Sequence, residues 1–249
     1  MGRAITEALA GASDLALKAS VERGEAIPPG AGRTWSNDLG AAVAGGDVVV
    51  EFSTPGVAVA AARLCAERGA ALVSGTTGLD ADAERAIRDA AARVAVVRAA
   101  NFSLGVLALR RALEAALAAL PPSWDIEIVE RHHRGKQDAP SGTALMLGRQ
   151  AVERRGYAAA ALRTGRTGRG LRPREEVAIH SLRGGTWIGD HAVVIAGAGE
   201  WLELRHVAED RAAFANGVLA AARFVAGASP GLYTLEHVAG AAAGAAASG

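Results

Sequence analysis

Residues 130–144 read ERHHRGKQDAPSGTA and crowd proton-handling and anion-holding groups into one short stretch. His132 and His133 are adjacent, so in an extended segment their side chains point to opposite faces and take different partners. Lys136 supplies a fixed positive charge or a proton. Ser141 is placed to cap a helix that begins at Gly142. The Gly142 and Thr143 N–H groups then sit in the first turn, where the helix dipole favours an anion such as a carboxylate. Gly142 leaves room for close approach. Taken singly, a PSGTA stretch is an ordinary capped helix behind a solvated basic loop. Asp138 beside the histidines also allows a metal reading, which no HExxH or Cys cluster supports. The remaining histidines, His180, His191, His206 and His237, are dispersed and read as structural.

A second group of residues falls at predicted strand ends in the first hundred positions. Glu22 and Arg23 follow one strand, Gly75, Thr76 and Thr77 another, and Ala99, Ala100, Asn101 and Phe102 a third. Open α/β sheets bind ligands at that edge. An acid there hydrogen-bonds a ribose hydroxyl, whereas an adjacent arginine meets a 2′-phosphate. The small residues of 75–78, GTTG, let backbone approach a flat ring.

The elements that must position these groups follow from periodicity. Residues 15–21 alternate as a strand, and 47–52, 70–74 and 94–97 are short apolar runs suited to a buried parallel sheet. Ala-rich helical stretches at 57–68 and 80–92 lie between them, implying a doubly wound α/β sheet. A helix over 104–119 ends at Pro121 and Pro122, and 124–130 alternates strictly. A helix from Gly142 to about Arg155, a Gly/Arg-rich loop over 163–174 and strands at 176–182, 191–196 and 201–207 come next. Consecutive strands on short links predict a smaller α+β domain with a mostly antiparallel or mixed sheet. A helix over 210–225 closes the pattern. The expected organisation is a dinucleotide-binding domain over 1–103, with 210–240 packing back on it, a substrate and oligomerisation domain over 104–209, and a disordered Ala/Gly tail over 241–249.

Composition narrows the function classes. The chain has 249 residues, 50% of them hydrophobic, enough for substantial cores. A net charge of +1 offers no global footprint for nucleic acid. A single cysteine, Cys65, reads as a buried thiol in a reducing cytosol. Neither a membrane span nor a signal peptide is expected.

These residues resemble the 4-hydroxy-tetrahydrodipicolinate reductase family, also called dihydrodipicolinate reductase. The resemblance rests first on residues 130–144, with SGTTG at 74–78 and AANFS at 99–103. SLRGG at 181–185, GDH at 189–191 and FANG at 214–217 extend it to about residue 240. It implies a Rossmann-like cofactor domain, a substrate domain that builds a homotetramer, a hinge between them, and hydride transfer from NADH or NADPH in lysine biosynthesis in the cytoplasm. It further implies His132 as acid/base and Lys136 as proton donor. His133 with the Gly142 and Thr143 amides would hold substrate carboxylates. Glu22 and Arg23 would contact the adenosine ribose, with 75–77 and 99–102 lining the nicotinamide side. The family pattern opens with a strand and a Gly-rich turn ending in GRMGR, whereas this sequence opens Met1-Gly2-Arg3. Glu22 lies 20 positions after Gly2, the spacing expected between such a turn and its acid. The expectation is that the functional protein starts upstream of Met1; the alternative is a truncated, inactive nucleotide-binding homologue.

Overall fold

The computed structural model describes residues 1–22, 25 and 35–247. The chain divides into two compact units, Met1–Leu104 with Phe214–Gly249, and Gly105–Ala213.

The first unit holds a four-stranded parallel sheet. Its strands are β3 (Val48–Glu51), β4 (Ala71–Ser74), β5 (Ala95–Arg98) and β11 (Gly231–Tyr233), in the order β11-β5-β4-β3. All three pairings are parallel. The helices between these strands have clear start and stop signals. Helix α3 (Pro55–Arg68) opens with Pro at its start and ends on Gly69 in the left-handed conformation. Helix α4 (Ala81–Ala91) is capped by Asp80, whose side chain accepts the Ala83 N–H at 2.8 Å. Ala61, Ala62 and Cys65 of α3 and Ile87 and Ala90 of α4 pack with Leu72 and Val96 into the unit's core. The alanines let these helices approach closely. Cys65 is fully buried, and burial pushes its thiol up to about 12.

The strand expected over 15–21 is reduced to β1 (Ser20–Val21). Among the described residues it pairs only with β2 (Trp35–Ser36), in parallel, as a separate two-stranded ladder. Among the described residues no backbone ladder joins this pair to the four-stranded sheet. Alternation over 15–19 is therefore not converted into strand, because a strand needs a ladder partner. The helix α1 (Gly2–Leu9) carries no fully buried residue. Behind it, Asp14 is held by two bonds from Arg223, at 2.7 and 2.9 Å. Arg223 lies on α7 (Ala212–Gly227). A four-residue helix, α2 (Leu39–Ala42), precedes β3. The last helix, α8 (Leu235–Ala247), runs through the segment where a disordered tail was expected. Alanine has the highest helix propensity of any residue, so a helix already begun at Leu235 propagates through it.

The second unit is a five-stranded mixed sheet in the order β10-β9-β6-β8-β7. Its strands are β6 (Asp125–His132), β7 (Leu162–Thr164), β8 (Val177–Arg183), β9 (Gly189–Ala196) and β10 (Trp201–Ala208). The sequential strands β8 and β9 are not neighbours. Strand β6 sits between them, parallel to β8 and antiparallel to β9. Helices α5 (Leu104–Ala119) and α6 (Gly142–Arg155) supply Leu113, Leu117, Leu147 and Ala151 to a core with Ile126, Ile128, Ile179 and Ile195. Part of the expected 163–174 loop is strand, since Leu162–Thr164 pairs in parallel with β8. Arg172 pins the rest by bonds to Asp125, Glu127 and the Glu176 carbonyl.

Candidate active site

Strand β6 alternates so that Ile126, Ile128, Glu130 and His132 all face inward. An acid and a histidine thus continue the parity of the core. Glu130 has no exposed surface, and its carboxylate is fully engaged. Arg183 on β8 binds both its oxygens, at 2.8 Å each. The Ser141 N–H donates to Oε1 at 3.1 Å, and His132 Nδ1 lies 2.6 Å from Oε2. Burial pushes the Glu130 carboxyl up, but the bonds from Arg183, Ser181 and His132 outweigh it and hold it at about 2. The carboxylate is therefore ionised and accepts only, so His132 carries its proton on Nδ1 and leaves Nε2 for other chemistry.

Burial is also the largest influence on His132. It pushes the imidazole below its usual 6.5; Glu130 pulls it up, and the charges of Lys136 and Arg183 push it down. The net direction is down, so at neutral pH the ring is mostly neutral and, when protonated, a stronger acid than an ordinary imidazolium. Close approach matters here too: a Cβ at Gly189 would meet His132 Nε2 at 3.3 Å.

The segment that follows is tied to the loop between β8 and β9. The His133 N–H donates to the Trp187 carbonyl at 2.8 Å, and Gly184 N–H donates to the His132 carbonyl at 3.1 Å. This fixes His133 beside His132 with a different exposure, the first partly exposed and the second buried. Lys136 Nζ sits 2.7 Å from Asp138 Oδ1, and its ammonium holds that carboxyl below the usual range. Asp138 is thus a partner of Lys136. Ser141 caps α6 as the sequence predicts, its Oγ accepting the Ala144 N–H at 3.2 Å. Gly142 is exposed in the first turn, and Thr143 follows it partly buried.

Three members of this cluster escape sequence reasoning. Glu130 and Arg183 were given no role, although an acid at a core-facing position must find a buried partner. His191, expected to be structural, lies with its ring centroid 5.1 Å from that of His132. Its Nε2 is 2.9 Å from Ser141 Oγ. Burial, then the charge of His132, pushes it down to about 4.

In the first unit, residues 74–78 leave the end of β4 and 99–102 leave the end of β5, both at the sheet's carboxyl edge. A Cβ at Gly75 would lie 2.1 Å from the Phe52 ring, so only glycine fits there. Phe52 in turn packs against Phe102, with centroids 5.3 Å apart. Asn101 Oδ1 accepts the Ser103 N–H at 2.8 Å. A Cβ at Gly217 on α7 would overlap the Phe102 carbonyl at 1.7 Å, so this helix lies directly against the 99–102 loop. Glu22 is exposed just after β1, with its N–H donating to the Ser36 carbonyl at 3.0 Å. Arg23 lies outside the described residues. Each unit thus gathers its own set of predicted site residues at loops next to strand ends.

Family models for the dihydrodipicolinate reductase N-terminus and C-terminus match residues 1–102 and 105–239. The chain belongs to the dihydrodipicolinate reductase family. It is 39% identical to the 4-hydroxy-tetrahydrodipicolinate reductase of Nitrosomonas eutropha, over 96% of this chain and 94% of that protein. The corresponding protein of Caulobacter vibrioides is 43% identical, with 96% and 93% covered. Among solved structures, a dipicolinate-bound dihydrodipicolinate reductase from Paenisporosarcina sp. TG-14 superimposes with a TM-score of 0.75. It is 22% identical and covers 94% of this chain and 92% of its own, so it supports the fold. With this membership the chain is an oxidoreductase, Rossmann-like in its first unit. Among the described residues no helix is long and apolar enough to cross a membrane.

Proposed function

We propose that this reductase converts 4-hydroxy-tetrahydrodipicolinate to tetrahydrodipicolinate with NADH or NADPH, in the cytoplasm, as a step of the diaminopimelate route to lysine. The observation that carries this reading is the buried Glu130–His132 pair beside Lys136 and the N-terminus of α6. A bound dihydronicotinamide supplies the hydride. Hydride addition to a conjugated cyclic imine drives electron density into the ring system, and a positioned acid must quench it. Glu130 holds His132 Nδ1–H and so turns Nε2 to proton exchange, while its charge supports the imidazolium. The Lys136 ammonium is the second proton source. His133 and the amides of Gly142 and Thr143 bind the carboxylates, where helix-end donors suit an anion. Dipicolinate, present in the Paenisporosarcina structure, is a dicarboxylate of the same class.

The cofactor belongs to the first unit in this reading. Gly75, Thr76 and Thr77 with Ala99, Ala100, Asn101 and Phe102 line its nicotinamide half. Gly75 leaves room for the Phe52 ring, which packs on Phe102, so the two loops proposed to line the ring are held against each other. Glu22 faces the adenosine ribose and favours a free 2′-hydroxyl, while Arg23 accommodates a 2′-phosphate, so both cofactors are used. KM values for NADH and NADPH within about tenfold of each other support dual use. A larger gap assigns one cofactor.

The decisive assay follows NADH oxidation with freshly generated substrate. His132→Ala and Lys136→Ala should each lower turnover by about 10²–10⁴-fold, with melting temperatures little changed. Near-normal turnover in both purified variants would remove the assignment.

A further inference from the structure

Glu51, the last residue of β3, is a buried acid that the reaction as derived above does not use. Its Oε1 accepts the Ser53 N–H at 2.7 Å and the Ser53 hydroxyl at 2.6 Å. The Thr76 hydroxyl also binds Oε1, and the Ser74 hydroxyl binds Oε2 at 3.1 Å. Thr76 Oγ1 itself accepts the Ser53 N–H at 2.8 Å, which leaves its own proton to point at Glu51. The main chain repeats the link, since the Gly75 N–H donates to the Glu51 carbonyl at 2.9 Å. Among the described residues, none of the carboxylate's partners is a cation. A buried carboxylate satisfied by neutral donors is a costly way to fill a core position. What it supplies is order: three hydroxyls, at the end of β4 and on the loops after β3 and β4, lose their rotational freedom to one rigid acceptor.

We infer that Glu51 is a positioning residue for the nicotinamide half of the cofactor, acting through Thr76. The inference rests on the reading that residues 75–77 meet that half. Freed from Glu51, the loop carrying Thr76 has several hydroxyl orientations in place of one, and the ring is held less well.

The test uses the full chain with Glu51→Gln, Thr76→Val and the double variant. Reduced nicotinamide mononucleotide and AMP serve as probes for the two halves of the cofactor. Each single change should weaken mononucleotide binding and raise the KM for NADH by about tenfold, the scale of one hydrogen bond to a charged group. The double variant should be no worse than the weaker-binding single, because both remove the same link. AMP binding and the KM for the dicarboxylate should stay within twofold, which general loosening of the fold would not allow. Mononucleotide binding unchanged in Glu51→Gln, or singles whose effects multiply in the double variant, overturns the inference. If Thr76→Val weakens the probe and Glu51→Gln does not, the inference falls and the loop reading stands. If neither does, the loop reading falls with it. Should Glu51→Gln not fold, Thr76→Val combined with Ser74→Ala cuts the two side-chain links between Glu51 and the end of β4, leaving the Ser53 bonds, and carries the same expectations.

Discussion

At the residue scale, one buried carboxylate sets the state of the proposed acid. Glu130 raises the His132 pKa against the downward push of burial. Glu130→Gln should therefore move His132 further down, seen as a shift to lower pH in its NMR titration and in the falling limb of kcat/KM. The variant also leaves the Arg183 guanidinium without its anion, so a stability loss on the order of 3 kcal/mol in chemical denaturation accompanies it. A titration of His132 that does not move would break the link. His191 governs a second pH effect. Its folded pKa, about 4, lies below the ordinary imidazole value of 6.5. The unfolded chain then binds more protons in that window, so stability is full above about pH 6.5 and falls as pH drops toward 4. The loss from this group is about 3 kcal/mol at most. His191→Gln should flatten the dependence of unfolding free energy on pH between those limits, and an unchanged slope would refute the assignment.

At the element scale, Gly217 is where α7 meets the 99–102 loop. Any side chain there meets the Phe102 carbonyl, on the loop proposed to line the nicotinamide. Gly217→Ala should cost about 1–3 kcal/mol through overpacking and raise the KM for the cofactor. Gly240 on α8 has open space around it and serves as the control. Gly240→Ala should be neutral or stabilising by up to about 1 kcal/mol, since alanine outranks glycine in a helix. Denaturation curves and cofactor KM on both variants separate the two outcomes. Elements were the most legible feature of the sequence where local signals were complete. The 142–155 helix is bounded by a Ser cap and a left-handed Gly156, both local chemistry. The 15–21 strand was misjudged because alternation shows only that a strand is possible. The partner that completes it is a matter of the ladder.

At the scale of the whole molecule, the homotetramer that the resemblance implies would need a surface to bury, and β10 offers one. This edge strand exposes Trp201 at 64%, Leu202 at 37% and Val207 at 50% of their surfaces. An unpaired edge bearing large apolar side chains is what a protein normally covers. We propose that further copies of the chain cover it. Sedimentation equilibrium should give four times the chain mass, and Trp201→Glu should lower it; a monomer mass at micromolar concentration would rule this out.

The sequence by itself determined the kinds of chemistry, because side-chain type and short spacing are local properties. His132, Lys136, Ser141 and Gly142 fall within one strand end and one helix start, and they can be read together without knowing the fold. It also held a signal for Glu130, which shares the inward parity of Ile126 and Ile128. Its partner could not be read. Arg183 is 53 residues away and meets Glu130 only because β8 lies parallel beside β6. His191 joins from the other side, through the antiparallel pairing of β9 with β6. The placement of β6 between two sequential strands is a choice of pairing partners. Pairing depends on which surfaces bury each other, and no local pattern encodes that. The same holds for Glu51 and Thr76, 25 positions apart and joined across the β3–β4 ladder. The candidate residues were thus legible locally, and the partners that orient them were decided by the sheets.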